Sequence, residues 1–183
     1  DQFLRDSTNK RHDNYGGSIE NRARFLLDIV DAISNIFPSN KIGCRISPTS
    51  TFNDIVDSNP QNLFDYLAIE LGKKKLAYLH AIEGQKRGHN FNFDKIYDLF
   101  KDSGGLNCMM NRHENEIMES NRADLEVFGI PFIANPDFVF RLEHDLPLNE
   151  ADSSTFYGGD EKGYTDYPFY QKPTDSMYYK LFG

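Results

Sequence analysis

From Ser18 to Pro38 apolar residues recur at helical spacing: Leu26, Ile29, Val30, Ile33, and Ile36 or Phe37. The spacing predicts an amphipathic helix over residues 18–37 that buries this face. Ser18 stands at the N-cap position, where its hydroxyl can accept from the Asn21 amide, and Pro38 is the stop. Before it, Tyr15-Gly16-Gly17 predicts a chain reversal, because paired glycines take positive φ at no steric cost. Residues 1–17 otherwise read as a polar loop.

The rest of the chain alternates two periods. In Lys41–Ile46, Ile42, Cys44 and Ile46 alternate with Gly43 and Arg45, the pattern of a short strand. Pro60 suits a first helical position, and Leu63, Leu67, Ile69 and Leu71 carry that helix to about Lys74. Leu76–Ile82 is a near-continuous apolar run and predicts a strand buried on both faces. A short helix follows over Phe93–Lys101, then a weak strand at Leu106–Met110 and a short helix at Glu114–Ser120. A last strand is expected at Ala123–Phe128, and a last helix after Asn135-Pro136-Asp137 with Phe138, Val139 and Leu142 as its apolar face. From Pro147 onward Gly, Asp, Ser and Tyr dominate, and an extended surface tail is expected over 147–183.

Strict alternation of helix and strand with short loops predicts a parallel α/β sheet built by right-handed crossovers. Four strands are too few to close a (β/α)8 barrel, which takes about 250 residues. The pattern leaves an open doubly wound sheet or half of a TIM barrel. No Gly-rich dinucleotide fingerprint and no P-loop follows any strand, which weakens the classical nucleotide folds.

Composition narrows the function classes. A chain of 183 residues with 39% hydrophobic content fits one domain, here a single partial domain over 1–183. A net charge of −8 argues against a nucleic-acid partner, and Lys73-Lys74-Lys75 reads as a solvated helix end. Cys44 and Cys108 make no disulfide framework and suggest a reducing, cytoplasmic setting. No signal peptide and no membrane-spanning run is apparent. The chain opens at Asp1 on a loop with no element before it, so a fragment is expected.

Arg11–Phe25, RHDNYGGSIENRARF, resembles the segment after the fourth barrel strand of the Old Yellow Enzyme family of flavin-dependent ene-reductases. Further blocks resemble the same family in order. Gly43–Pro48 is similar to its fifth strand, Leu76–His80 to its sixth, and Arg122–Asp137 to its eighth strand and following helix. Leu146–Asn149 and Thr155–Pro168 are similar to its C-terminal tail. The resemblance implies the C-terminal half of a (β/α)8 barrel that holds FMN at the strand ends. It implies hydride transfer from NADPH or NADH, through the flavin, to an activated alkene such as an enal, enone or nitroalkene.

It also implies roles for particular residues. Arg45 matches the fifth-strand arginine beside the flavin, where a fixed cation stabilises the anionic reduced ring; the alternative is an arginine salt-bridged inside the barrel. Phe156 and Tyr157 match tail residues near the flavin and the substrate entrance, or are simple packing residues. The family's carbonyl-binding His/Asn or His/His pair and its proton-donating Tyr belong to the fourth strand, upstream of Asp1, so no catalytic residue is carried over. His12, His80 and His89 are not substitutes; His80 reads as a satisfied histidine in a buried strand run.

Two departures fall on the FMN phosphate. Where the family has a Gly-rich turn after its seventh strand, this chain has Asn107-Cys108-Met109-Met110, whose side chains make close phosphate approach harder. Where it has an arginine after the glycine matched by Gly129, this chain has Ile130. Losing that charge-assisted contact costs roughly 1.5–3 kcal/mol. The alternative to an alkene reductase is therefore a non-catalytic half-barrel that binds no flavin and self-associates, or pairs with another chain, through its open edges. An unrelated open α/β binding domain is a third, weaker option.

Overall fold

The computed structural model describes residues 1–82, 91–111, 123–158 and 160–170. The chain divides into two compact units, one ending at Val127 and the other beginning at Phe128.

The first unit is a four-stranded parallel sheet flanked by helices. Its strands are β1 (Gly43–Ile46), β2 (Tyr78–Ile82), β3 (Asn107–Asn111) and β4 (Leu125–Val127). They lie side by side in chain order, all parallel. Helices α1 (Ile19–Ser34), α2 (Pro60–Lys73) and α3 (Phe93–Asp102) precede β1, β2 and β3. A doubly wound sheet reverses its strand order at a switch point; this one does not. Sequential order is the layout of successive βα units of a (β/α)8 barrel. The expected helix at Glu114–Ser120 lies outside the described residues.

One core explains why the sheet has two unlike faces. Cys44, Ile46, Leu79, Ala81 and Cys108 point to the same side and join Leu63, Phe64, Leu67, Leu71, Ile96 and Phe100 from the helices. β1 shows the cause in miniature: Cys44 and Ile46 are buried, Gly43 and Arg45 exposed, as period-two alternation demands. β2 is buried at Leu79, His80 and Ala81 and half-buried at its two ends.

The caps hold as the side chains dictate. Ser18 accepts from the Asn21 amide at 3.3 Å, Asn59 from Asn62 at 3.2 Å and Asn92 from Lys95 at 3.0 Å. In the turn before α1 the two glycines do different work. Gly17 takes φ +84°, whereas a Cβ on Gly16 would lie 2.2 Å from the Arg11 carbonyl oxygen.

Two expectations are corrected. Helix α1 ends at Ser34, short of Pro38, and of its forecast face only Val30 is buried. Ile29, Ile33, Ile36 and Phe37 are exposed at 40, 37, 76 and 57%, and Arg22 and Ala23 enter the core instead. A helix with two adjacent apolar stripes shows one periodicity, and only its packing partner decides which stripe is covered. In the second unit the helix after Asn135-Pro136-Asp137 is α5 (Phe138–Glu143), preceded by a short α4 (Ile130–Ala134) that no pattern predicts. Of the face forecast for α5, Phe138 is buried while Val139 and Leu142 are exposed. Among the described residues the tail from Pro147 has no regular element beyond a 3-10 turn at Ser153–Thr155, as expected of an extended tail, and hydrogen bonds fasten it. Arg141 donates to the carbonyls of Pro147 (2.7 Å) and Pro168 (2.8 Å), and Asn149 to those of Ala134 (2.9 Å) and Pro168 (2.8 Å).

Candidate functional site

Parallel pairing sets one row of residues across the sheet: Arg45 opposite His80, His80 opposite Met109, and Met109 opposite Leu125. Because Cys44, Leu79 and Cys108 turn toward the helices, the pleat turns Arg45, His80 and Met109 to the other face. His80 is buried there, Met109 half-buried and Arg45 exposed. Among the described residues Arg45 has no ion-pair or hydrogen-bonding partner. Its guanidinium stands one residue before the C-terminal end of its strand, the end at which parallel barrels bind their ligands.

Cys108 and Met109 lie in β3, the strand expected at Leu106–Met110. The Cys108 side chain is fully buried on the helix side, where its thiol approaches the Tyr97 carbonyl at 3.8 Å. Burial pushes this thiol up to about 12 and that of Cys44 up to about 11. Leu79 separates the two cysteines in register, which sets them roughly 9–10 Å apart, too far for a disulfide. Both are free thiols.

The segment after β1 is fastened by a buried polar network that no sequence pattern announced. Arg5, 2% exposed, donates to the Ser47 carbonyl and stacks over the Phe64 ring at 5.0 Å. Burial lowers its pKa even though Asp57 and Asp6 lie near it. Arg22 pairs with Asp57 at 2.6 Å and donates to the Leu4 carbonyl. Asp57 also accepts from the amides of Asp6 (3.0 Å) and Asn59 (2.9 Å). These bonds lock the N-terminal loop, α1 and the loop before α2 together. None of the three residues falls in a periodic run; the available signal was an arginine, Arg22, on the side of α1 beside Ala23.

In the second unit, Gly129 caps α4 and Ile130 is its first residue, 42% exposed. A Cβ on Gly129 would meet no atom within 4 Å, so space stands open against this backbone. Phe156 is half-buried and Tyr157 is 90% exposed. Among the described residues, no three His, Cys, Asp or Glu side chains converge as a metal site. No helix among them is long and apolar enough to cross a membrane.

A cation near a strand end, such as Arg45, fits an anionic, ring-bearing cofactor such as FMN.

Known proteins give the same answer for most of the chain. The family model described as NADH:flavin oxidoreductase / NADH oxidase matches residues 1–149. A putative 12-oxophytodienoate reductase 11 of Oryza sativa subsp. japonica is 40% identical over 180 residues, covering 92% of this chain and 48% of that protein. A probable flavin mononucleotide-dependent alkene reductase of Leishmania infantum is 41% identical over 172 residues, covering 92% and 47%. Among solved structures, a morphinone reductase superposes with a TM-score of 0.80 at 41% identity, covering 92% of this chain and 46% of that one. The old yellow enzyme from Trypanosoma cruzi gives a TM-score of 0.83 at 31% identity, covering 93% and 46%. The chain spans about half the length of the curated relatives it matches. With that breadth of match, and with the sequential parallel sheet those structures share, the chain belongs to the NADH:flavin oxidoreductase / NADH oxidase family, the family of the Old Yellow Enzymes.

Proposed function

We propose that this chain is part of an FMN-dependent oxidoreductase that uses NADH or NADPH to reduce activated C=C bonds of small enals, enones or nitroalkenes. The observation that carries the reading is Arg45: a strand-end guanidinium with no partner among the described residues, on the sheet face opposite the helices. Bound FMN would supply hydride acceptance and donation. The chain's own residues bind and orient. Arg45 offers fixed positive charge to a cofactor that becomes more negative on reduction. By the family resemblance the backbone at Gly129 would hold the phosphate, without a guanidinium beside it because Ile130 is apolar. Phe156 and Tyr157 are assigned to the substrate entrance by their resemblance to the family's tail. The two buried free thiols suit a reducing compartment, and the reading includes a cytoplasmic setting.

The test is colour and turnover. A protein extended to the length of the relatives and purified with FMN is expected to be yellow and to oxidise NADH or NADPH when given 2-cyclohexenone. A folded, colourless protein under those conditions refutes the reading. It would favour the rival, a half-barrel without flavin, for which Ile130 and the exposed apolar stripe of α1 speak.

A further inference from the structure

We infer that Tyr164 and Tyr167 are positioning residues: their hydroxyls brace the turn that presents Phe156 and Tyr157, and so hold an aromatic edge ready for a planar conjugated ligand.

Tyr157 is 90% exposed, and a ring left in water gains nothing from folding. Yet the backbone that carries it is tied at several points. Asp152 starts the turn, accepting from the Ser154 amide at 3.0 Å and the Ser154 hydroxyl at 2.6 Å. The Thr155 hydroxyl donates to the Asp152 carbonyl at 2.8 Å. The Gly158 amide closes on the Thr155 carbonyl at 3.1 Å, directly after the aromatic pair. Across the turn, the Tyr164 hydroxyl donates to the Phe156 carbonyl, and the Tyr167 hydroxyl accepts from the Asp152 amide at 2.9 Å. Gly163 makes this crossing fit: a Cβ there would lie 1.9 Å from the Thr155 hydroxyl oxygen. Its amide is held in turn by Asp166 at 2.7 Å. The far end is anchored where Arg141 and Asn149 both donate to the Pro168 carbonyl.

The two tyrosine bonds hold the backbone that leads into the aromatic pair, one at Phe156 itself and one four residues before it at Asp152. A surface turn does not need two side-chain crossties merely to stay folded; local Asx and backbone bonds already close it. Crossties of this kind fix the backbone from which the side chain projects, and so the direction in which it leaves the turn. Pre-ordering it lowers the entropy a ligand must overcome on binding. The assignment of a ligand to this edge rests on the alkene-reductase reading; the bracing itself does not.

Two measurements test it. The chain contains no tryptophan, so Tyr157→Trp installs a single reporter at the edge. With the brace intact its fluorescence anisotropy should be high. Adding Tyr164→Phe, or Tyr167→Phe, should lower the anisotropy while leaving the thermal midpoint in place. Unchanged anisotropy in both overturns the inference. In the flavin-loaded, full-length protein with Tyr157 intact, Tyr164→Phe should raise KM for 2-cyclohexenone roughly threefold to tenfold, the loss of one hydrogen bond, at constant kcat. A looser reporter with an unmoved KM also overturns it, because the brace would then be structural alone. Failure of the protein to take up flavin would sink the alkene-reductase reading, while the anisotropy would still decide the brace.

Discussion

Replacing Asp57 with alanine should be among the most destabilising single changes in the first unit. Its carboxylate is fully buried, and its ion pair with Arg22 is 2.6 Å long with the arginine side chain only 6% exposed. The same carboxylate accepts the Asp6 and Asn59 amides. Truncation leaves Arg22 as an uncompensated buried cation, with its Nε already lacking a hydrogen-bond partner. Breaking a buried pair from one side costs about 3–5 kcal/mol. Set against a total stability of about 5–15 kcal/mol, that is a large fraction. With a urea slope of about 2 kcal/mol/M, the unfolding midpoint should fall by roughly 1.5–2.5 M. Urea titration followed by far-UV circular dichroism measures it, with Arg22→Met, Asp57→Leu as the companion variant. That double substitution removes both charges, and it should recover part of the loss, because Arg22 no longer stands as a buried cation without its partner, while Arg5 keeps its ion pair with Asp1 at 3.6 Å. A cost below about 1 kcal/mol for Asp57→Ala would show that the pair is solvated and that the network does not lock the N-terminal loop.

Three further outcomes are expected. Ile130→Arg should restore a charge-assisted contact to the FMN phosphate and tighten FMN binding by about one to two orders of magnitude in the full-length protein; flavin fluorescence titration reads it, and an unchanged Kd would remove Ile130 from the site. Burial holds the Cys44 thiol at about 11 and the Cys108 thiol at about 12, so neither should react with a disulfide reagent at pH 8 until urea unfolds the chain; rapid labelling of the native protein contradicts this. Asp124 bridges Lys101 at 2.8 Å and the Cys108 amide at 2.7 Å. Burial pushes its carboxyl up, but these hydrogen bonds outweigh burial and its pKa lies below the usual value of 3.8. Since the folded pKa is the lower one, its stabilisation is complete at neutral pH and is lost as pH falls from about 3.8 through the folded value. Asp124→Asn should therefore cost on the order of 1 kcal/mol at pH 7, this being a partly exposed pair, and the gap to the parent should shrink below about pH 4; a gap constant from pH 7 to 3 is inconsistent with that assignment.

What the sequence determined by itself is local or repetitive. Ser18, Asn59 and Asn92 cap their helices because a short polar side chain reaches an amide three residues on, whatever the tertiary setting. The alternation of β1 and the apolar run of β2 placed the strands to within two residues, and Arg45 was legible as the odd cation on the face opposite Cys44. The family blocks were legible too, since turns, strand ends and tail stand in linear order. The tertiary structure alone decided which of two apolar stripes on α1 is covered, because periodicity records a face but not its neighbour. It alone revealed that Arg5, Arg22 and Asp57 are buried together from three separate segments. It turned Cys108 toward the helices and Met109 to the opposite face of the strand expected there, β3, which pairs with β2 and β4. And it folded the tail back through Arg141, Asn149, Tyr164 and Tyr167, whose partners lie up to 27 residues away. Contacts of that range leave no period in the chain, so packing and hydrogen-bond geometry had to supply them.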